Sequence, residues 1–312
     1  MESLTFIIPT IGRSEMLFRL LHSFVSQSVV PDRILVVDQG HEPLTGLEQS
    51  FPTLPLVYHH VSFQSLTKAR NVGVSLSSSD CIGFLDDDVV LSSTYVERVR
   101  AFFSVHPNAL GVQGVITDFE TGHAKKVGGN RLVYRVYNMF ASIFFLNHSS
   151  KTNKLLLSGR NQYASRPTGI QSCEWLSGIG NYRRRVFDTY SFDEYLKGYA
   201  FGEDKLFSYR IFQDYRNALF LDPAIQCEHR HATDGRPTDK AMVRMKIRYT
   251  FYVWQKLFSS RGITAWLAYW WANVGDMFVV ACSVLFGTHT LQFLWWHIVE
   301  YWHIVWTRET QI

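Results

Sequence analysis

At 312 residues, with 46% hydrophobic and 19% charged positions, the chain is long enough for one large domain or two small ones and carries a folded protein's apolar content, which excludes a disordered polypeptide. A formal net charge of +4 favours anionic ligands or anionic lipid, but the basic residues are dispersed and form no arm, so no nucleic-acid partner is expected. Cys81, Cys173, Cys227 and Cys282 include no C-x-x-C pair, which argues against a zinc ribbon or a disulfide framework and for a reducing compartment. The opening MESLTFIIPT lacks the basic and apolar regions of a signal peptide, so the catalytic part is expected to stay in the cytosol.

Leu4–Pro9 is continuously apolar, as a strand covered on both faces reads, and Ser14–Ser26 shows helical spacing of Leu17, Leu20, Leu21 and Phe24 with Ser14 as the predicted N-cap. A second strand, Ile34–Val37, ends at Asp38. Val57–His60, a helix over Leu66–Leu76 and a strand over Cys81–Leu85 ending in Asp86, Asp87 and Asp88 follow. Tyr95–Phe103 is predicted helical, Gly111–Thr117 a strand and Arg131–Asn147 a helix; further on, a Gly-Glu-Asp run opens a helix within Tyr195–Gln213, and Ala218–Asp222 is a strand. Alternating strands and helices predict an α/β domain with a mostly parallel sheet, whose ligands bind beyond the carboxyl ends of the strands. Asp38 and the three aspartates stand at such ends.

From Gly262 onward the composition changes, with seven of the nine tryptophans in this stretch. Ile263–Phe286 is 24 residues long with Asp276 its one charge, while Thr290–Trp306 is 17 residues long and contains His297, Glu300 and His303. With Arg261 and Arg308 flanking them, these segments suit a helical hairpin with cytosolic ends, or helices lying in the headgroup layer, and a soluble helical core is the third reading. The expected domains are 1–240, divided into a nucleotide-binding half (1–118) and an acceptor-side half (119–240), and a membrane-associated helical segment, 241–312.

Asp86 and Asp88, one residue apart after a buried strand, can point to the same side and share a hard cation while Asp87 points away. An acidic solvated turn is the plainer alternative. Asp204, in YAFGEDKLFSYR, is a candidate general base for an attacking hydroxyl, with helix capping as the alternative for Glu203 and Asp204. His229 and His231, in CEHRHATDG, could supply an imidazole to a metal or a diphosphate. No G-x-G-x-x-G follows a strand, which argues against a dehydrogenase, and no Gly-rich, Lys-containing loop follows the first strand, which argues against a sugar nucleotidyltransferase.

TFIIPTIGR, VVDQG, LTKARNVGVSLSSSDCIGFLDDDVVLS and the stretch from WLSGIGNYRRR to QCEH together resemble glycosyltransferase family 2 over about residues 4–235. The resemblance implies the GT-A fold and inverting transfer from a nucleotide-diphospho-sugar, with UDP the expected carrier; the membrane-like C-terminus and the apolar helix Arg131–Asn147 point to a glycan or lipid-linked glycan acceptor at the cytoplasmic face of a membrane. The resemblance also implies Mg²⁺ or Mn²⁺ on Asp88 and Asp86 with His229, and His231 in reserve. Pro9, Thr10 and Arg13 would line the nucleotide pocket, with Asp38 on the base, and Arg70, Asp86 and Asp87 on the donor side. Asp204 becomes the base beside Glu203, and Trp175, Leu176, Ser177 and Gly178 approach acceptor and donor sugar. The family's processive Q-x-x-R-W signature is absent, which favours single-sugar transfer. The non-enzymatic alternative is an inactive subunit of a membrane-bound glycan-assembly complex.

Overall fold

The computed structural model describes residues 2–117, 131–164, 167–230 and 239–307. The chain opens with β1 (Leu4–Thr10), α1 (Ser14–Val25), β2 (Arg33–Asp38), the short α2 (Leu47–Ser50), β3 (Leu56–His60), α3 (Leu66–Ser75) and β4 (Cys81–Phe84). β5 (Val89–Leu91), α4 (Tyr95–Val105), β6 (Gly111–Ile116) and α5 (Arg131–Ile143) lead to a small sheet of β7 (His148–Ser150), β8 (Lys154–Leu155) and β9 (Asn161–Ala164). β10 (Gln171–Ser172), β11 (Asn181–Arg183), α6 (Glu203–Asp214), β12 (Leu219–His229), α7 (Asp239–Phe258), α8 (Ile263–Leu285) and α9 (Leu291–Thr307) follow.

The main sheet has the order β10-β12-β6-β11-β4-β1-β2-β3, with β5 also paired to β12. β3, β2, β1 and β4 are parallel, as the apolar runs of β1 and β2 predict. β11 then runs antiparallel between β4 and β6, and β12 returns parallel to β6, so the sheet as a whole is mixed. Strand alternation divides the core into two layers. Leu4, Phe6, Ile8, Ile34 and Val36 pack with residues of α1 and α4 on one face, whereas Ile7, Leu35 and Val37 pack with residues of α3, α6 and α7 on the other.

Two expectations are corrected here. Arg13, not Ser14, is the N-cap of α1, and no side chain caps that end; Arg13 is instead drawn to a buried carboxylate, described below. A boundary at residue 241 also fails to separate two bodies, because Val243, Ile247, Val253 and Leu257 of α7 belong to the same core as α6.

Among the described residues one helix, Ile263–Leu285, is long and apolar enough to cross a membrane. Its Asp276 and Asn273 both turn inward to Arg160, the asparagine at 2.8 Å. Glu300 of α9 is likewise held against α7, accepting from Arg244 Nε at 3.0 Å and Arg248 Nε at 2.7 Å. With these charges satisfied on the inner side, Trp266, Phe278, Trp295, Trp302 and Trp306 are left exposed on the outer faces. Arg308 lies outside the described residues. The four cysteines are free thiols, three of them buried.

Candidate active site

The carboxyl ends of β1 and β4, the last residue of β12 and the first turn of α6 converge on one cleft of about 650 Å³. The strand register assembles its acidic corner. β5 pairs antiparallel with the end of β12 so that His229 stands opposite Val89, which brings the imidazole beside the preceding residue, Asp88. His229 Nε2 lies 2.8 Å from Asp88 Oδ1, and donor atoms of Asp86, Asp88 and His229 all fall within 4.8 Å of one another. Two carboxylate oxygens and one imidazole nitrogen, with Asp86 opening to the cleft, are a donor set that fits Mg²⁺ or Mn²⁺ and leaves coordination positions for phosphate oxygens. His231 lies outside the described residues.

Asp87 turns the other way, as the strand alternation predicts. Its buried carboxylate accepts from Thr10 Oγ1 at 2.7 Å and pairs with Arg13 at 3.1 Å. Burial pushes this carboxyl up to about 6 in spite of Arg13 and Thr10. Asp87 therefore positions Thr10 and Arg13, which line the cleft with Pro9, and its own oxygens are both engaged.

Arg70 extends from α3 beneath the cleft floor and is 1% exposed. It donates to Glu203 Oε1 at 2.5 Å and, through Nη2, to Asp86 Oδ1 and the Gly178 carbonyl, each at 3.2 Å. The rings of Phe84 and Phe192 lie 5.5 and 5.2 Å from its guanidinium carbon. Burial works against its charge, but Glu203 and Asp86 more than offset this and hold it protonated. Its terminal nitrogens are committed to Glu203, Asp86 and Gly178, while Nε has no hydrogen-bond partner, and the residue lines the cleft beside Asp86. Gly178 is required by this arrangement, since a Cβ there would stand 2.8 Å from Arg70 Nη2.

Gly202 caps α6 at φ +89°, a left-handed conformation that favours glycine, and so sets the direction in which Glu203 and Asp204 leave the helix end. Burial pushes Glu203 up to about 8 against the pull of Arg70, with Asp204 and Asp86 adding to the rise. Asp204 is also raised by burial, against the pull of Lys205 and Arg70. Its Oδ1 accepts the Lys205 backbone N–H at 2.8 Å, Oδ2 carries no hydrogen bond among the described residues, and the residue lines the cleft. A carboxylate with one oxygen anchored, one open and a pKa raised by burial is suited to accepting a proton from an attacking hydroxyl.

Three further expectations are corrected. Asp38 is 1% exposed and braces its own loop, accepting from Tyr58 Oη at 2.6 Å and Gly40 N at 2.9 Å; the cleft residue at this strand end is Gln39. Trp175 and Leu176 are core side chains, the indole donating to the Lys154 carbonyl at 3.1 Å, so they do not reach the acceptor side. Ser177 has a buried, unpartnered Oγ, leaving Gly178 as the cleft-lining member of that quartet. Asn161, Tyr163, Phe201, Lys205, Met245 and Lys246 line the cleft without having been singled out by sequence. Only Phe201 and Lys205, which flank the Gly-Glu-Asp run, carried any local signal.

A mixed sheet with a carboxylate-histidine corner at its strand ends and a second acidic pair on a facing helix end is a GT-A architecture. The sequence model of Glycosyl transferase family 2 matches residues 5–166, more than half of the chain, and the protein belongs to that family. An uncharacterized glycosyltransferase YwdF of Bacillus subtilis is 30% identical over 97 residues, 31% of this chain and 36% of that one; a Haemophilus influenzae uncharacterized glycosyltransferase is 29% identical over 105 residues, 34% of this chain and 36% of that one. The aligned region thus spans about a third of each curated relative. The fold is shared with S. aureus TarS 1–349 in complex with UDP-GlcNAc (TM-score 0.54, 14% identity, 80% of this chain and 66% of that one). It is shared also with the mannosyltransferase PcManGT from Pyrobaculum calidifontis in complex with GDP-Man and Mn²⁺ (TM-score 0.56, 12% identity, 99% and 88%).

Proposed function

We propose that the chain transfers a single sugar, with inversion, from a nucleotide-diphospho-sugar to the hydroxyl of a lipid-linked glycan at the cytoplasmic face of a membrane, with UDP as the carrier. The observation that carries this reading is the open Oδ2 of Asp204 in the same cleft as Asp86, Asp88 and His229. The acceptor hydroxyl gives its proton to Asp204 while its oxygen forms the new bond to the anomeric carbon. The bond to the diphosphate breaks, its electron pair leaving with the nucleoside diphosphate, and attack from the face opposite the leaving group inverts the centre. Asp86, Asp88 and His229 would hold Mg²⁺ or Mn²⁺, which when bound neutralises charge on the diphosphate.

Donor and cation are tested by thermal stabilisation with a panel of nucleotide-sugars, because a ligand of the folded state raises stability by mass action. One donor should stabilise the protein in Mn²⁺, with chelator abolishing the effect and His229→Ala weakening it. Indifference of the wild-type protein to every donor would favour the inactive-subunit reading.

The membrane location is supported by the outward tryptophans of α8 and α9 together with their inward charges, a distribution suited to helices resting in the headgroup layer. Trp295→Ser, Trp302→Ser and Trp306→Ser combined should remove most co-sedimentation with vesicles of phosphatidylglycerol and phosphatidylethanolamine. These side chains are 61%, 64% and 68% exposed, so folding should be spared. Equal sedimentation of variant and wild type would refute the membrane assignment.

A further inference from the structure

Next to the base, the cleft wall carries two cations that the transfer chemistry does not use. Lys205 of α6 and Lys246 of α7 place their ammonium nitrogens 5.3 and 5.9 Å from the centroid of the same ring, Phe201. Lys205 is 5% exposed, lines the cleft and makes no ion pair among the described residues. Desolvating an ammonium group is unfavourable unless an anion shares the site. The cost is visible in Lys205, whose burial lowers it to about 8 despite the nearby Asp204.

The identity of the anion follows from position. The donor diphosphate is assigned to the corner of Asp86, Asp88 and His229, whereas Lys205 directly follows the residue that takes the acceptor's proton. Met242 and Met245 of α7 line the cleft beside Lys246 and add apolar surface. We propose that Lys205 and Lys246 form an acceptor subsite that binds a phosphate-type anion carried by the acceptor. This rests on the glycosyltransferase reading and deepens it, by making the acceptor a phosphorylated molecule.

The test is calorimetric titration of the full chain, saturated with UDP and Mn²⁺, with farnesyl phosphate, farnesol and inorganic phosphate. Farnesyl phosphate should bind roughly tenfold or more tighter than farnesol, the range expected of charge-assisted hydrogen bonds. Lys205→Met combined with Lys246→Met should abolish that preference while UDP affinity stays at the wild-type value. Exposed Lys246, changed alone, should remove part of it and covers the case of a double variant that does not fold. Inorganic phosphate binding as well as farnesyl phosphate would support the anion subsite and assign it to soluble phosphorylated acceptors. Equal binding of farnesol and farnesyl phosphate to wild type, or an undiminished preference in the double variant, would overturn it. The UDP titration is read separately, and its failure would count against the donor assignment rather than against the lysines.

Discussion

Asp204→Asn is expected to lower turnover by roughly 10²- to 10⁴-fold, the usual contribution of a positioned general base, with nucleotide-sugar affinity little changed. The amide keeps the size of the side chain and an oxygen for the Lys205 N–H, so the helix end stays intact while the proton acceptor is lost. The pH profile supplies a second readout. The base must be ionised to act, and burial raises the carboxyl of Asp204, so wild-type turnover should fall on acidification at a pH above the ordinary aspartate range. The variant's residual rate should lack that acid limb. Normal turnover in Asp204→Asn would remove this residue from the mechanism.

Arg70→Met should give the largest loss of stability, about 3 to 5 kcal/mol, because it leaves the buried Glu203 without its partner and Asp86 without a donor. Glu203 has a folded-state value of about 8, above its ordinary 4.5, so its preference for the protonated form stabilises the protein at low pH and that stability is lost as pH rises toward 8. Removing Arg70 lifts the value further. The deficit of the variant should therefore widen above about pH 8, where wild-type Glu203 ionises against a guanidinium and the variant's carboxylate has none. Adding Glu203→Gln should recover part of the loss. Urea unfolding at pH 7 and pH 9 reads all three proteins, and a single variant as stable as wild type at both would refute the buried pair as a structural element.

The elements legible in sequence were those whose side-chain pattern is long or punctuated. β1 and β2 read as continuous apolar runs, and the aspartates after β4 were placed at a strand end because that strand is buried on both faces. β8, β10 and β11 are two or three residues long, too short for any periodicity, and their pairing is fixed by neighbours distant in sequence. The site divides in the same way. Asp86, Asp88, Asp204 and His229 were found by local motif, and the structure gathers them around one cleft. Asp38 and Trp175 were expected to touch ligand but are buried away from the cleft, and burial depends on what packs above a residue, which local spacing does not encode. Lys246 and Met245 come from a helix assigned to another domain, so no motif could have placed them at the cleft.

The 2.8 Å contact between Asp88 and His229 joins positions 141 residues apart, one in the turn before β5 and the other at the end of β12, its pairing partner. A cation held there would act as a reversible cross-link across nearly half of the chain, the kind of long closure whose entropy falls on the unfolded state. Metal affinity would then also be a gauge of assembly: a polypeptide ending before His229 would retain the aspartates but lack the imidazole.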